Sequence, residues 1–334
     1  MPVALSILDL APIAPGRPAR ESFAASVELA RAAERNGYRR VWYAEHHNMP
    51  SIASSATSLV IGHVAEHTDT IRLGAGGIML PNHSPLVIAE QFGTLETLFP
   101  GRIDLGLGRA PGTDRATMRA IRRDGTSADS FPEDVLELQG YLRGESRVAG
   151  VRAVPRPEGE VPLYLLGSSL FGARLAARFG LPYAFASHFA PDALHEAVAA
   201  YREYFEPSEQ LAEPYVIAGV NVFAAEDRDE AEAQRRVAYR NRARAFISRG
   251  RGGRDYTDAE IDAFLASPNG AQLSAMAKYT AVGTGDEVRA LLEEFGASIG
   301  ADELITAHHA ERVADRVRSI ELTAEALAES CPRE

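Results

Sequence analysis

Residues 71–108 read IRLGAGGIMLPNHSPLVIAEQFGTLETLFPGRIDLGLG, and this stretch decides the fold. Ile71–Leu80 is an apolar, glycine-rich run with the character of a strand. Ser84 and Pro85 then open a helix as N-cap and first helical residue, since serine can accept a backbone N–H and proline has none to lose there. The helix runs to about Phe99, and Arg102–Gly108 is a strand again. The same alternation extends outward in both directions. Upstream lie a strand at Val3–Leu10, a helix at Glu21–Asn36 that stops at Gly37, a strand at Tyr38–Ala44 and a helix at Ser54–Thr68. Downstream, strands at Val161–Gly167, Tyr183–Ser187, Tyr215–Ala224 and Glu303–Ala307 alternate with helices, one of them opened by the capping box Thr284-Gly-Asp-Glu287. Eight strands, each followed by a helix, is the count of a (β/α)8 TIM barrel. A doubly wound sheet also alternates, so the count leaves that fold open. Arg240–Tyr279 breaks the pattern. It reads as an insertion before the last strand, spanning roughly 240–280 of a single 1–334 domain, and either a mobile cover over the pocket or an extra surface helix pair.

Composition narrows the function. Among 334 residues, Lys+Arg number 35 and Asp+Glu 46, for a net charge of -11, which disfavours nucleic acid as a partner. The single Cys, Cys331, cannot form an intrachain disulfide. No apolar run reaches the roughly 18 residues a membrane span needs, and the start lacks a basic segment ahead of an apolar one. The expectation is a cytoplasmic protein with no membrane partner.

Two glycine loops, Gly74-Ala75-Gly76-Gly77-Ile78-Met79 and Gly106-Leu107-Gly108-Arg109-Ala110-Pro111-Gly112, follow strand starts but fit a dinucleotide fingerprint poorly. Glycines within a strand suggest instead that something flat approaches the backbone. In Glu45-His46-His47, adjacent side chains point to opposite sides, so the two histidines do not share a metal, and no metal site is read. A lone imidazole at a barrel mouth suits general acid/base work, or merely bonds a loop carbonyl. Arg109 at the end of the fourth strand, Ser168 and Ser169 at the end of the fifth, and the helix start near Gly172 and Ala173 would together make a phosphate cradle. Trp42, Tyr43 and Phe189 read as core or pocket wall. The arginines at 240, 242, 244, 249, 251 and 254 read as a solvated helix face or an anion contact.

VWYAEHH at 41–47, the long run at 73–112, VPLYLLGSS at 161–169, VGTGDEV at 282–288 and DELI at 302–305 carry a resemblance over nearly the whole chain. The sequence resembles the bacterial luciferase-like flavin monooxygenases, in particular stand-alone members beginning LSILDL. The resemblance implies a TIM barrel with an insertion before the last strand and flavin at its C-terminal mouth. It implies His46 as the active-site histidine, Arg109, Ser168 and Ser169 as phosphate contacts, and Gly76–Gly77 as a pair joined by a non-prolyl cis peptide beside the flavin ring. Gly108 stands where the light-emitting α chain has a reactive cysteine, so light emission is not implied. The resemblance further implies reduced FMN as co-substrate, O2, a small organic substrate, a separate flavin reductase and a homodimer through the second and third helices, where Leu59, Val60 and Val64 are candidate contacts. Two alternatives stay open: an F420-dependent oxidoreductase, favoured by Arg249, Arg251 and Arg254, and a non-catalytic flavin-binding protein.

Overall fold

Nine parallel strands and twelve α-helices occur in a computed structural model that describes residues 3–110, 113–124, 126–248 and 256–329. The chain begins β1 (Ala4–Asp9), α1 (Ala19–Arg35), β2 (Arg40–Tyr43), α2 (Thr57–Ala65), β3 (Arg72–Met79), α3 (Pro85–Leu98) and β4 (Ile103–Gly108). It continues through α4 (Arg115–Ala120), α5 (Phe131–Arg143), β5 (Leu163–Gly167), α6 (Leu170–Phe179), β6 (Tyr183–Phe185), α7 (Leu194–Glu203) and β7 (Val216–Ala224). Three helices follow, α8 (Arg228–Ser248), α9 (Asp258–Leu265) and α10 (Pro268–Ala275), then β8 (Thr280–Gly283), α11 (Gly285–Ile299), β9 (Glu303–His308) and α12 (Val313–Glu329).

The strands close in the order β1-β2-β3-β4-β5-β6-β7-β9, with β9 back on β1. This is the expected eight-stranded (β/α)8 barrel, and the open doubly wound sheet is excluded. The ninth strand is an addition that the sequence reading missed. β7 is nine residues long. Its first half pairs with β6 and its second half, Asn221–Ala224, pairs with β8. The end of the insertion is thereby tied to a barrel strand. α4 was also missed.

Local signals act as read. Ser84 is the N-cap of α3 with Pro85 at its first position, although the Ser84 hydroxyl accepts no backbone N–H, and Gly37 sits at φ 73 just past α1. Thr284 and Glu287 form the reciprocal capping box of α11. α1 lies close against the barrel because Ala25, Ala30, Ala32 and Ala33 face inward.

Two layers fill the barrel. At the N-terminal ends of the strands lies a buried ionic cluster. Arg40 donates to Asp104 at 2.7 Å and to Tyr164 at 2.5 Å, and its Nε lies 3.0 Å from Glu303. Arg72 adds a second guanidinium to Asp104, and Ser6 and Tyr215 donate to Glu303. Above it sits an apolar layer of Leu8, Trp42, Ala184, Ile217 and Ile305. Trp42 joins the layers, its Nε1 donating to Asp104 at 3.1 Å. The bottom is therefore plugged, and any ligand enters from the other end.

Candidate active site

The C-terminal ends of the strands surround one cavity of about 1680 Å³. His46, Gly76, Arg109, Ser168, Ser169 and Gly172 all line it. Residues from four separate stretches of chain thus meet at one rim, as barrel topology requires.

β3 carries a bulge at its fifth and sixth residues. Ala75 pairs with Leu105 but Ile78 with Leu107, so one extra residue is accommodated at Gly76–Gly77. The peptide between these glycines is cis, as the resemblance implied. Their lack of side chains has a reason within the protein itself. A Cβ on Gly76 would lie 2.8 Å from Trp42 Cβ, and one on Gly77 would lie 2.7 Å from the Gly106 carbonyl oxygen. Gly76 borders the cavity, whereas Gly77 is absent from its wall and faces β4.

Glu45 holds this bulge. Its N–H donates to the Gly77 carbonyl at 3.2 Å, and its carboxylate accepts the Met79 N–H at 3.0 Å. The imidazoles of His47 and His83 reach the same carboxylate at 2.7 and 2.9 Å. Burial alone would raise the Glu45 pKa, but the bonds from His47, His83 and Met79 bring it down to about 2. The same bond from Glu45 raises His47. These three side chains are metal-ligand types, with donor atoms within 4.8 Å of one another, at separations that suit hydrogen bonds. His46 and His47 do diverge, His46 to the cavity and His47 to Glu45. The His46 backbone is fixed by its N–H to Ser54 at 2.9 Å.

The second wall is cationic. Arg109 lies 4.2 Å over the Phe171 ring, and its Nε donates to the Ala128 carbonyl at 3.2 Å. Its nearest carboxylate, the exposed Asp129, is 4.0 Å away. Ser169 is the N-cap of α6 without spending its hydroxyl on the cap, and both serines are exposed to the cavity. The first N–H groups of α6, including that of Gly172, therefore remain available to an anion. Ala173 departs from the sequence reading. It is fully buried and its N–H is donated to the Ser169 carbonyl at 3.4 Å, so it stands behind the wall. A guanidinium with little neutralisation, two unspent hydroxyls and a free helix start fit a phosphate, and the bare edge at Gly76 leaves the adjoining space open to a flat ring.

The third wall was not anticipated. His188, Asn221, His308 and His309 line it, with the His309 ring bonded to Asn221 Oδ1 at 2.8 Å and Asn221 Nδ2 to the His188 carbonyl at 2.8 Å. Burial lowers His188 and His308 to about 3 and His309 to about 4. These imidazoles are neutral at ordinary pH. The insertion completes the wall through Tyr239, Arg242 and Phe246 of α8 and Leu273 of α10, so it is no detached surface pair. Arg242 and Arg244 both line the cavity, so of the two readings of the run, solvated face or anion contact, the solvated face does not describe these two. Arg240 and Arg244 are ion-paired with α9 through Asp262 and Asp258, whereas Arg242 has no ion pair among the described residues. Arg249, Arg251, Arg254 and Cys331 lie outside the described residues. Trp42 and Phe189 are pocket wall and Tyr43 is buried core, while Val60 and Val64 are buried, leaving only Leu59 of that trio on the surface.

Comparison with known proteins agrees with this fold. The family model described as luciferase-like monooxygenase matches residues 3–303. The chain is 54% identical over 251 residues to a luciferase-like monooxygenase of Escherichia coli strain K12, covering 75% of this chain and 74% of that one. It is 47% identical over 325 residues to protein YvbT of Bacillus subtilis strain 168, with 96% of each covered. Among solved structures, apo-MsnO8 superposes with a TM-score of 0.86 at 36% identity over 99% of both chains.

Proposed function

We propose, from the premise that this chain belongs to the luciferase-like monooxygenase family, that it binds reduced FMN at the barrel mouth and uses O2 to oxygenate a small organic substrate. The observation that carries the reading is the meeting of Arg109, Ser168, Ser169 and the start of α6 with Gly76 and His46 in one cavity. The guanidinium and hydroxyls would grip the phosphate by charge-assisted bonds. Bound reduced FMN supplies the electrons for O2 activation. Apolar walls from Leu8, Trp42, Leu166, Phe185 and Phe223 would exclude water from the reacting centre. His46 would hold or move a proton at its ring nitrogens.

The fold offers no dinucleotide fingerprint, so reduced flavin would come from a separate flavin reductase. The arginines that favoured the F420 reading, at 249, 251 and 254, lie outside the described residues. A homodimer is part of the proposal, with Leu59 of α2 and Val87 and Leu98 of α3 as exposed apolar contacts that light scattering would test.

The deciding experiment mixes the protein with photoreduced FMN and follows reoxidation by O2 in a stopped-flow instrument. Protein-bound flavin is expected to reoxidise at a rate distinct from free flavin. FMN is expected to bind at least tenfold more tightly than riboflavin, and Arg109→Gln to abolish that preference. Reoxidation identical to free flavin, or equal affinity for riboflavin, overturns the reading. A change in reoxidation in His46→Ala argues against a protein that merely stores flavin.

A further inference from the structure

Arg242 is a partly buried guanidinium on the cavity wall with no ion pair and no hydrogen bond among the described residues. Its helical neighbours differ. Arg240 holds Asp262 and Arg244 holds Asp258 at 2.7 Å. Burial lowers the pKa of Arg242, and no carboxylate near it counters that effect. The carboxylates on the cavity wall are placed elsewhere. Asp9 is held by Ser26 and the Ala11 N–H and faces Arg316 at 3.9 Å, Glu21 is paired with Arg17, and Glu311 forms no ion pair with Arg242. Arg242 lines the same cavity as His188 and His309, and its charge disfavours protonation of both. His188 Nδ1 is buried there without a partner.

A desolvated cation facing neutral groups is costly, and an incoming anion removes that cost. The planar guanidinium suits a carboxylate, which it can bind through two parallel N–H donors. Arg109 sits on a different element, at the end of β4, where the two serines join it. Arg316 also lines the cavity, but it is almost fully buried and its charge faces Asp9 at 3.9 Å. A flavin phosphate on Arg109 thus leaves Arg242 as a cavity guanidinium with no carboxylate partner among the described residues.

We propose that Arg242 forms a second anion subsite, which takes the carboxylate of the organic substrate. The substrate is then an apolar molecule with an acid group at one end, oriented by α8 of the insertion. This deepens the monooxygenase reading and rests on it. The same chemistry would also accept an anionic tail of a cofactor, and the test separates the two.

The test is calorimetric, on the full chain, with and without saturating FMN. The probes are 3-phenylpropionate and 3-phenylpropionamide, which differ in charge but hardly in shape. The wild type is expected to bind the acid about ten- to a hundredfold more tightly than the amide. In Arg242→Gln the two should fall within about twofold of each other, whereas Arg109→Gln should retain the preference. Arg242→Lys, which keeps charge but loses the fork, should fall between. Circular dichroism checks that each variant is folded, and a misfolded Arg242→Gln leaves the Arg242→Lys comparison to decide. No acid preference in the wild type overturns the proposal, as does a preference that survives Arg242→Gln or follows Arg109. Displacement of the acid by FMN, or by inorganic phosphate at comparable concentration, also overturns it and assigns the site to a cofactor tail. Because the flavin-free arm reads the acid preference alone, failure of flavin binding is a separate result.

Discussion

The carboxylate of Glu45 accepts the backbone N–H of Met79 at 3.0 Å, and through this bond the end of β2 grips the far side of the β3 bulge. The near side is gripped by the Glu45 N–H on the Gly77 carbonyl. One residue therefore sets the path of the backbone that borders the cavity at Gly76, and it is the sequence neighbour of His46.

Glu45→Gln keeps the shape but removes the charge that His47 and His83 share. It should lower unfolding free energy by about 1–3 kcal/mol in denaturant titrations, the usual range for charge-assisted bonds at a buried group. Flavin affinity should fall with it. An unchanged midpoint would show that the clamp carries no weight.

Replacing bottom-layer Asp104 by Ala leaves the Arg40 guanidinium buried beside Glu303 alone and strips Arg72 of its carboxylate. A loss of about 3–5 kcal/mol is expected. In a double-mutant cycle with Arg40→Met, the coupling should be at least about 1 kcal/mol, because the two act in one network. Additive losses would contradict the network.

Three glycines around the cavity should rank by what an added methyl meets. In Gly106→Ala the Cβ would run into the Ala75 carbonyl oxygen, which cannot move aside, and a cost of about 3 kcal/mol or more is expected. Gly76→Ala meets Trp42 Cβ at 2.8 Å and should cost about 1–3 kcal/mol. Gly108→Ala comes too close only to the Met79 side chain, 2.8 Å from its sulfur, and that flexible side chain can swing away, so its cost should stay under about 1 kcal/mol. Thermal unfolding of the three variants reads the order, and a Gly108→Ala loss equal to that of Gly106→Ala would refute it.

Stability should decline as pH falls below 6.5. His188 and His308 titrate at about 3 and His309 at about 4 when folded, against 6.5 ordinarily. Between those values the unfolded chain binds more protons than the folded one, so acid favours unfolding. His47 works the other way. Its folded value is raised, so its bond to Glu45 contributes fully below 6.5 and is lost as pH rises through that folded value. Glu45, lowered from 4.5 to about 2, loses its contribution only as pH falls through that lower range. Denaturant midpoints measured from pH 7.5 to 4.5 should therefore drop chiefly below 6.5. His308→Gln should flatten that slope, and a wild-type midpoint constant across this range would exclude the assignment.

The barrel was legible because its strands are apolar runs punctuated by caps and glycines, which are local signals. β8 was not, since four residues beside an over-long β7 carry no periodicity of their own. Arg40, Asp104 and Glu303 were silent for a different reason. They lie far apart in the chain and meet only when strand ends share one level of the barrel. The cradle of Arg109, Ser168 and Ser169 could be read from strand-end positions, yet Ala173 looked accessible because the register of α6 was set two residues late. Arg242 was hidden inside a run of like residues, from which it differs only in lacking the carboxylates of α9 that pair with Arg240 and Arg244.

β7 serves two neighbours in succession, β6 along its lower half and β8 along its upper half. The cavity's borders consequently descend from separable parts of the sequence. Residues 46–172 build the side with Arg109 and the serines, while 228–283 is hung on the protruding end of β7 and builds part of the opposite side. Substitution in the hung portion can remodel what the cavity admits without disturbing the grip across from it, which makes 228–283 the place to graft or shuffle when altering selectivity.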